Sequence, residues 1–313
     1  MIRRNWHRLI SIAGLGATVL LVLAVLLHLT MRDRYFGPSL LFYAAPWPVI
    51  AAGAAAAGLF WRWKKRRVIA ATLALLTGVA LATWLRSSWQ HHPRPAARGE
   101  LRVVHWNVSR PGRGLPAIAA WLRAQDADVI TLAEGHSRRR STLAQWQAEM
   151  PGYEVLEFMG EMNCLIRGHI VSREDREFSP DAYCALIHAE VRGHPLTILQ
   201  VDVAPSTRRP HARAFTKLPA LVRPHLGENL LVLGDFNVPR ESAFLAPLRT
   251  EMTQAFESVG DGLAETWPVL LPVLSLDQIW SGPRLRALHC EHGHSLHSDH
   301  RAVIADFDFA PAR

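Results

Sequence analysis

Acids, amides and one histidine stand directly after apolar runs at Asn107, Glu134, Asp235 with Asn237, Asp277, and Asp299 with His300. A carboxylate beside a hydrophobic core is costly unless it is paired or bound to a metal. Such a set at strand ends suggests a metal site with a general base. Donors that are almost all oxygen favour Mg²⁺ or Mn²⁺ over zinc. The chain contains no GxGxxG and no GxxxxGK[ST] fingerprint, so a nucleotide-binding reading has no support.

The surrounding pattern says which elements must carry these residues. Residues 101–106 alternate and are β-rich, and 128–132 form a short apolar run ending at Glu134. Residues 115–125 and 142–150 have helical spacing. Short strands are expected near 153–156, 164–167, 185–191 and 196–203, then a helix over 208–222 despite Pro219. Residues 229–233 are a buried strand that runs straight into Asp235, and 276–280 and 302–307 complete the set. Strands with helices interspersed at irregular spacing predict an α/β domain with mixed sheets, and strand ends in such folds converge on one edge where sites form.

In this order and spacing, Val104-His105-Trp106-Asn107, the run from Ala127 to Glu134, Gly234-Asp235-Phe236-Asn237, Leu276-Asp277 and Ser298-Asp299-His300 resemble the endonuclease/exonuclease/phosphatase superfamily. The resemblance covers residues 101–309. It implies a deoxyribonuclease I-like, four-layer sandwich of two mixed β-sheets flanked by helices. It also implies roles. Glu134 would be the principal Mg²⁺ ligand with Asn107 beside it, and Asp299 would complete the acidic edge near the metal. Asp235 would position the attacking water or the leaving oxygen, and Asn237 would hold the phosphate. His300 would polarise the phosphoryl group or act as general base, with Asp277 orienting its ring.

One position departs from the family. Its middle strand usually ends with a histidine or tyrosine at the phosphate, and here Asp202 takes that place. A carboxylate donates no hydrogen bond to phosphate unless protonated. Either Asp202 is protonated or serves a second metal, or another residue takes the role, with His211 and Arg209 nearby in sequence. Arg138 opens a run of three arginines just after Glu134, and reads either as a solvated helix start or as a receiver of substrate phosphate. The histidine-rich stretch 289–300 reads as a loop, with a zinc site at Cys290 conceivable although the spacing matches no usual pattern. Cys164 and Cys184 either pair or stay free.

The N-terminal third differs in kind. Residues 1–98 hold 13 of the 35 Lys and Arg and only one acid, Asp33. The remaining 22 bases and 26 acids leave residues 99–313 at −4, without the footprint of a duplex-binding protein. Residues 9–29, 40–61 and 68–85 contain no charge, and a helix needs roughly 20 residues to cross a bilayer. Three transmembrane helices are therefore expected within residues 1–85, the second bent at Pro46 and Pro48. The first run lacks a small-residue cleavage site and reads as an anchor rather than a signal peptide. Lys and Arg cluster before the first span and between the second and third, which predicts a cytoplasmic N-terminus and an extracytoplasmic domain in a cell inner membrane. The 14 residues 86–99 form a linker that reaches at most ~45–50 Å.

These readings point to an outward-facing, metal-dependent phosphoester hydrolase held close to membrane lipids, acting on a lipid-linked or small phosphodiester. An extracytoplasmic nuclease is the alternative, although no extended duplex nucleic acid is expected as a partner. A degenerate binding domain is the alternative of another class.

Overall fold

The computed structural model describes residues 2–95, 98–111, 114–137, 141–205 and 211–310, and the side chains from residue 9 onward. The chain divides into two compact units, Met1–Trp89 and Gln90–Arg313.

In the first unit, α1 (Ile2–Leu29) is followed by α2 (Phe36–Ala44), α3 (Trp47–Trp63) and α4 (Arg67–Ser88). Two helical stretches, Leu9–Leu29 and Arg67–Ser88, are long and apolar enough to cross a membrane. Their apolar side chains, Ile12, Leu15, Leu75 and Val79 among them, face outward. The expected second span is instead two helices bent by 71°, a third crossing only if the pair counts as one span. The cause is local. Pro46 has no N–H to continue α2, and it caps α3 with extended backbone.

The second unit contains two mixed sheets. Its elements, in chain order, are β1 (Trp89–His91), β2 (Leu101–Asn107), α5 (Leu115–Ala124), β3 (Val129–Ala133), α6 (Leu143–Glu149), β4 (Glu154–Phe158), β5 (Met162–Ile166), β6 (His169–Ser179), β7 (Ala182–Val191) and β8 (His194–Val203). There follow α7 (Ala212–Phe215), α8 (Leu218–Val222), β9 (Leu230–Asp235), α9 (Ala246–Glu251), β10 (Thr253–Gln254), α10 (Ala255–Val259), β11 (Gly260–Leu263), β12 (Asp277–Ser281), β13 (Leu285–Gly293) and β14 (Ala302–Phe309). The eight-stranded sheet runs β1-β11-β13-β14-β2-β3-β5-β4, and the six-stranded sheet runs β10-β12-β9-β8-β7-β6. Pairs β2–β3 and β8–β9 are parallel, while their outer neighbours β14 and β12 are antiparallel.

Alternation along the strands builds the layers. Val103, Val129, Cys164 and Ile166 of one sheet share a core with Ile187, Ile198, Leu231 and Ile279 of the other. The next residues along, Val104, Trp106 and Ile130, point the opposite way, onto Ile118 and Leu122 of α5 and Trp146 of α6. Fully buried side chains of this size contribute about 1.5–3 kcal/mol each.

Three expectations change. The helix expected over 208–222 is two short helices, because Pro219 has no N–H for a continuous ladder and opens the second one. The histidine-rich stretch is not all loop, since His289, Cys290 and His292 lie on β13. Cys290 is buried in the core, and no zinc cluster forms around it among the described residues. All three cysteines are free thiols.

Candidate active site

The site forms where the two sheets meet at one strand-end edge. Asn107 ends β2, Asp235 ends β9 and Asp277 opens β12 directly opposite Asp235. The Asn107 amide donates to Asp235 Oδ2 at 3.0 Å and so ties one sheet to the other. The backbone N–H of Asn237 donates to the other oxygen, Oδ1, at 3.0 Å. His300 Nδ1 donates to Asp277 Oδ2 at 2.8 Å. His105 Nε2 lies 3.6 Å from Asp277 Oδ1, so two imidazoles flank one buried carboxylate.

Local geometry holds the Ser-Asp-His segment in place. Ser298 Oγ donates to the Asn107 carbonyl at 2.6 Å and accepts the His300 backbone N–H at 3.0 Å. Trp106 Nε1 donates to the His300 carbonyl at 2.9 Å. The His300 backbone and one ring nitrogen are thus fixed from three sides. Its Nε2 makes no hydrogen bond among the described residues.

A second group lies alongside. Glu134 has a left-handed backbone, φ 50°, uncommon for a non-glycine residue and typical of functional turns. Arg110 holds that turn, donating its backbone N–H to the Glu134 carbonyl at 2.9 Å. Its guanidinium reaches Glu134 and Glu161, each at 2.6 Å. Asp202 pairs in register with Asp235 on the adjacent strand. Gly234 makes that pairing possible: a Cβ there would lie 1.7 Å from the Val201 carbonyl oxygen.

Charge is unevenly distributed. Burial, and then the charge of Asp277, push Asp235 up to about 6. For Asp277 itself, burial acts upward but His300 and His105 outweigh it and hold the carboxyl well below the usual range. Burial acts downward on His300, yet the carboxylates of Asp277 and Asp235 raise it to about 10. Asp202 is pushed well up, by burial and then by Asp235, Glu134 and Glu161. Five carboxyl groups therefore share this edge with Arg110 and His300.

Asn107, Asp235, Asn237, Asp277 and His300 are brought together, with Glu134 and Asp202 in the neighbouring acidic group. Asp299 is exposed beside them, bonded by the Ser109 hydroxyl and by Trp267 Nε1. His211 opens α7, next to residues 206–210, which lie outside the described set together with Arg209. Arg138 also lies outside the described residues. The sequence reading missed His105, Arg110 and Glu161. His105 carried a usable signal, because it stands two residues before Asn107 on one strand and so shares its face. Arg110 and Glu161 carried none, since a turn arginine and a 3₁₀ glutamate resemble any surface pair.

The donor set suits a hard divalent cation. Oxygens dominate, and Asp235, Asp277 and His300 offer ligand atoms that all lie within 4.8 Å of one another. The excess of carboxylates is itself an observation that calls for a cation.

Comparison with known proteins agrees with this geometry. The sequence pattern described as "Endonuclease/Exonuclease/phosphatase family" matches residues 104–300. No curated protein matches the chain. Among solved structures, a protein of that family from Bacteroides thetaiotaomicron aligns with TM-score 0.57 and 15% identity, over 66% of this chain and 97% of its own. The Bacteroides thetaiotaomicron mannosyl-6-phosphatase aligns with TM-score 0.57 and 16% identity, over 67% and 100%. TDP2 from Caenorhabditis elegans aligns with TM-score 0.55 and 18% identity, over 67% and 75%. At these identities the likeness is one of fold.

Proposed function

The chain belongs to the endonuclease/exonuclease/phosphatase family, and from that premise we propose that it is a membrane-anchored, divalent-metal-dependent phosphodiester hydrolase acting on a lipid-linked or small phosphodiester. The observation that carries the chemistry is the two hydrogen-bonded pairs Asn107–Asp235 and Asp277–His300, set side by side by the β9–β12 register and buried at one edge. In-line attack on a phosphoester needs a positioned water, neutralised equatorial oxygens and a stabilised leaving group.

Each residue has a task in that scheme. Asp235, fixed at both oxygens, orients the water or the leaving oxygen. Asp277 orients the His300 ring, keeps it protonated at Nδ1 and leaves Nε2 for a phosphoryl oxygen. Glu134, Asn107 and Asp299 would hold Mg²⁺ or Mn²⁺, which when bound supplies Lewis-acid neutralisation of the phosphate.

The membrane half of the proposal rests on two helices of spanning length, on the bent pair α2–α3 taken as the third crossing, and on the Lys and Arg distribution, which with three crossings favours an inner-membrane anchor with the domain outside the cytoplasm. The expected 14-residue linker is shorter, since α4 runs to Ser88 and β1 begins at Trp89, and a domain at −4 that follows the last anchor helix so directly is better suited to a headgroup near the bilayer than to a duplex. The test offers full-length protein in detergent, with Mg²⁺, either mixed phospholipids or plasmid DNA. Headgroup release that needs both Mg²⁺ and His300, with the plasmid intact, is the expected result. Plasmid nicking with the same dependence would replace the substrate with a nucleic acid. Turnover of neither, nor of any simple phosphodiester, would point to a binding domain.

A further inference from the structure

We propose that the cleft between α3 and α4 is a binding site for an anionic phospholipid, distinct from the catalytic edge. The two helices form a tight hairpin whose turn is Lys64–Arg66. They are in contact at Gly58, where an added Cβ would lie 3.5 Å from the Ala70 carbonyl oxygen and from Leu73 Cβ. Beside that contact is a cleft of about 1010 Å³, with Arg62, Lys65 and Arg67 at its mouth. Its wall is made of small residues, Gly58, Ala71 and Ala74, and it ends at Thr77.

Three features together call for an anion with an apolar tail. First, the mouth is uncompensated. Arg62, Lys65 and Arg67 make no ion pair among the described residues, and the single acid of residues 1–98, Asp33, is bonded by Tyr43. Second, α4 starts at Arg67 with no side-chain cap and no acid in its first turn. Cations crowd the positive end of a helix dipole there, which is unfavourable unless an anion sits among them. Third, the depth is right. From Arg67 to Thr77 the helix rises about 15 Å, half of a ~30 Å hydrocarbon core, so the cleft spans one leaflet. Thr77 Oγ1 already donates to the Leu73 carbonyl, leaving the deep end without a free hydroxyl hydrogen. A phosphate at the mouth and an acyl chain along the small-residue wall fill this shape. A soluble phosphate would leave the wall bare.

The inference rests on the membrane-anchor reading, and the experiment separates the two. Membranes bearing the full-length protein are first washed with alkaline carbonate. Native mass spectrometry then counts lipids retained by the purified protein from mixed phosphatidylglycerol and phosphatidylcholine. Each cation beside an anionic lipid is worth roughly a fivefold preference. The intact chain should therefore retain phosphatidylglycerol at least about tenfold over phosphatidylcholine. Arg62→Gln/Lys65→Gln/Arg67→Gln should lose that preference. Ala71→Trp, which fills the wall and keeps every charge, should lose bound lipid as well. Equal retention of both lipids, or phosphatidylglycerol retained by either variant, would overturn the site. Release of the chain by carbonate would overturn the anchor and the site together.

Discussion

Asp202 and Asp235 lie directly opposite each other on the parallel strands β8 and β9, two carboxyl groups where a histidine or tyrosine facing an acid was expected. Burial, and then Asp235, Glu134 and Glu161, push the Asp202 carboxyl well up. Asp202→Asn removes one member without changing shape. In chelator, the full-length protein should then gain roughly 1 kcal/mol, a rise of about 2–4 °C in unfolding midpoint. The Mg²⁺ concentration needed for half-maximal activity should rise severalfold, because one acid that favours the cation is gone. An unchanged midpoint and an unchanged Mg²⁺ requirement would remove Asp202 from the site.

Asp277 is hydrogen-bonded to His300, and in the proposed mechanism it acts through that ring rather than on substrate. Asp277→Asn keeps the packing but removes the charge that holds the His300 ring protonated and oriented. Loss of an orienting carboxylate of this kind costs on the order of 10³–10⁴-fold in kcat. The effect should be strongly non-additive, with Asp277→Asn/His300→Ala no slower than His300→Ala. Independent, multiplying losses in the double variant would show that Asp277 has a separate task.

Gly234 is required by a close approach. A methyl group there would meet the Val201 carbonyl at 1.7 Å, between paired strands with no room to separate. Gly234→Ala should destabilise the second unit by on the order of 3–4 kcal/mol, read as the chemical unfolding midpoint of the full-length chain. A loss under about 1 kcal/mol would mean that β8 and β9 are not paired as described.

Away from the catalytic edge, His292 gives a signed pH dependence. Its ring stacks on Phe256, and its Nδ1 lies 2.8 Å from the Leu263 carbonyl. Burial lowers it from 6.5 to about 4. The folded chain therefore keeps this ring neutral where the unfolded chain takes up a proton. Stability is complete above about pH 6.5 and is lost as pH falls towards 4, by roughly 2 kcal/mol. His292→Phe should flatten that part of the stability–pH curve. A curve of unchanged slope would show that the ring titrates normally in the folded chain.

Much of the fold was legible because buried strands leave a plain signal. The runs around 103, 130, 165, 198 and 232 are apolar enough to read directly, and the polar residues at the ends of those around 103, 130, 198 and 232 mark the site edge, whereas the run on the antiparallel β5 ends at Arg167 on the opposite side. β6 was invisible for the opposite reason: His169–Ser179 is charged and largely exposed at a sheet edge, so no face repeats. β13 was hidden by its histidines. The partners of the site residues were harder still. Arg110 and Glu161 act through a turn and a 3₁₀ segment, and only the paired sheets bring them to Glu134. The bend between α2 and α3 was signalled by Pro46, whereas its size of 71° is reported by no sequence period.

The central claim is metal-dependent phosphoester hydrolysis at the Asn107–Asp235–Asp277–His300 edge. The most direct measurement is the rate of bis-p-nitrophenyl phosphate hydrolysis by full-length protein in detergent. The rate is followed through chelation and Mg²⁺ re-addition for the native chain, Glu134→Gln and Asp235→Asn. The account predicts turnover that disappears with chelator and returns with Mg²⁺. It also predicts a raised Mg²⁺ requirement in Glu134→Gln and a kcat lower by at least about 10³-fold in Asp235→Asn. Turnover indifferent to chelator, or preserved in Asp235→Asn, would contradict it.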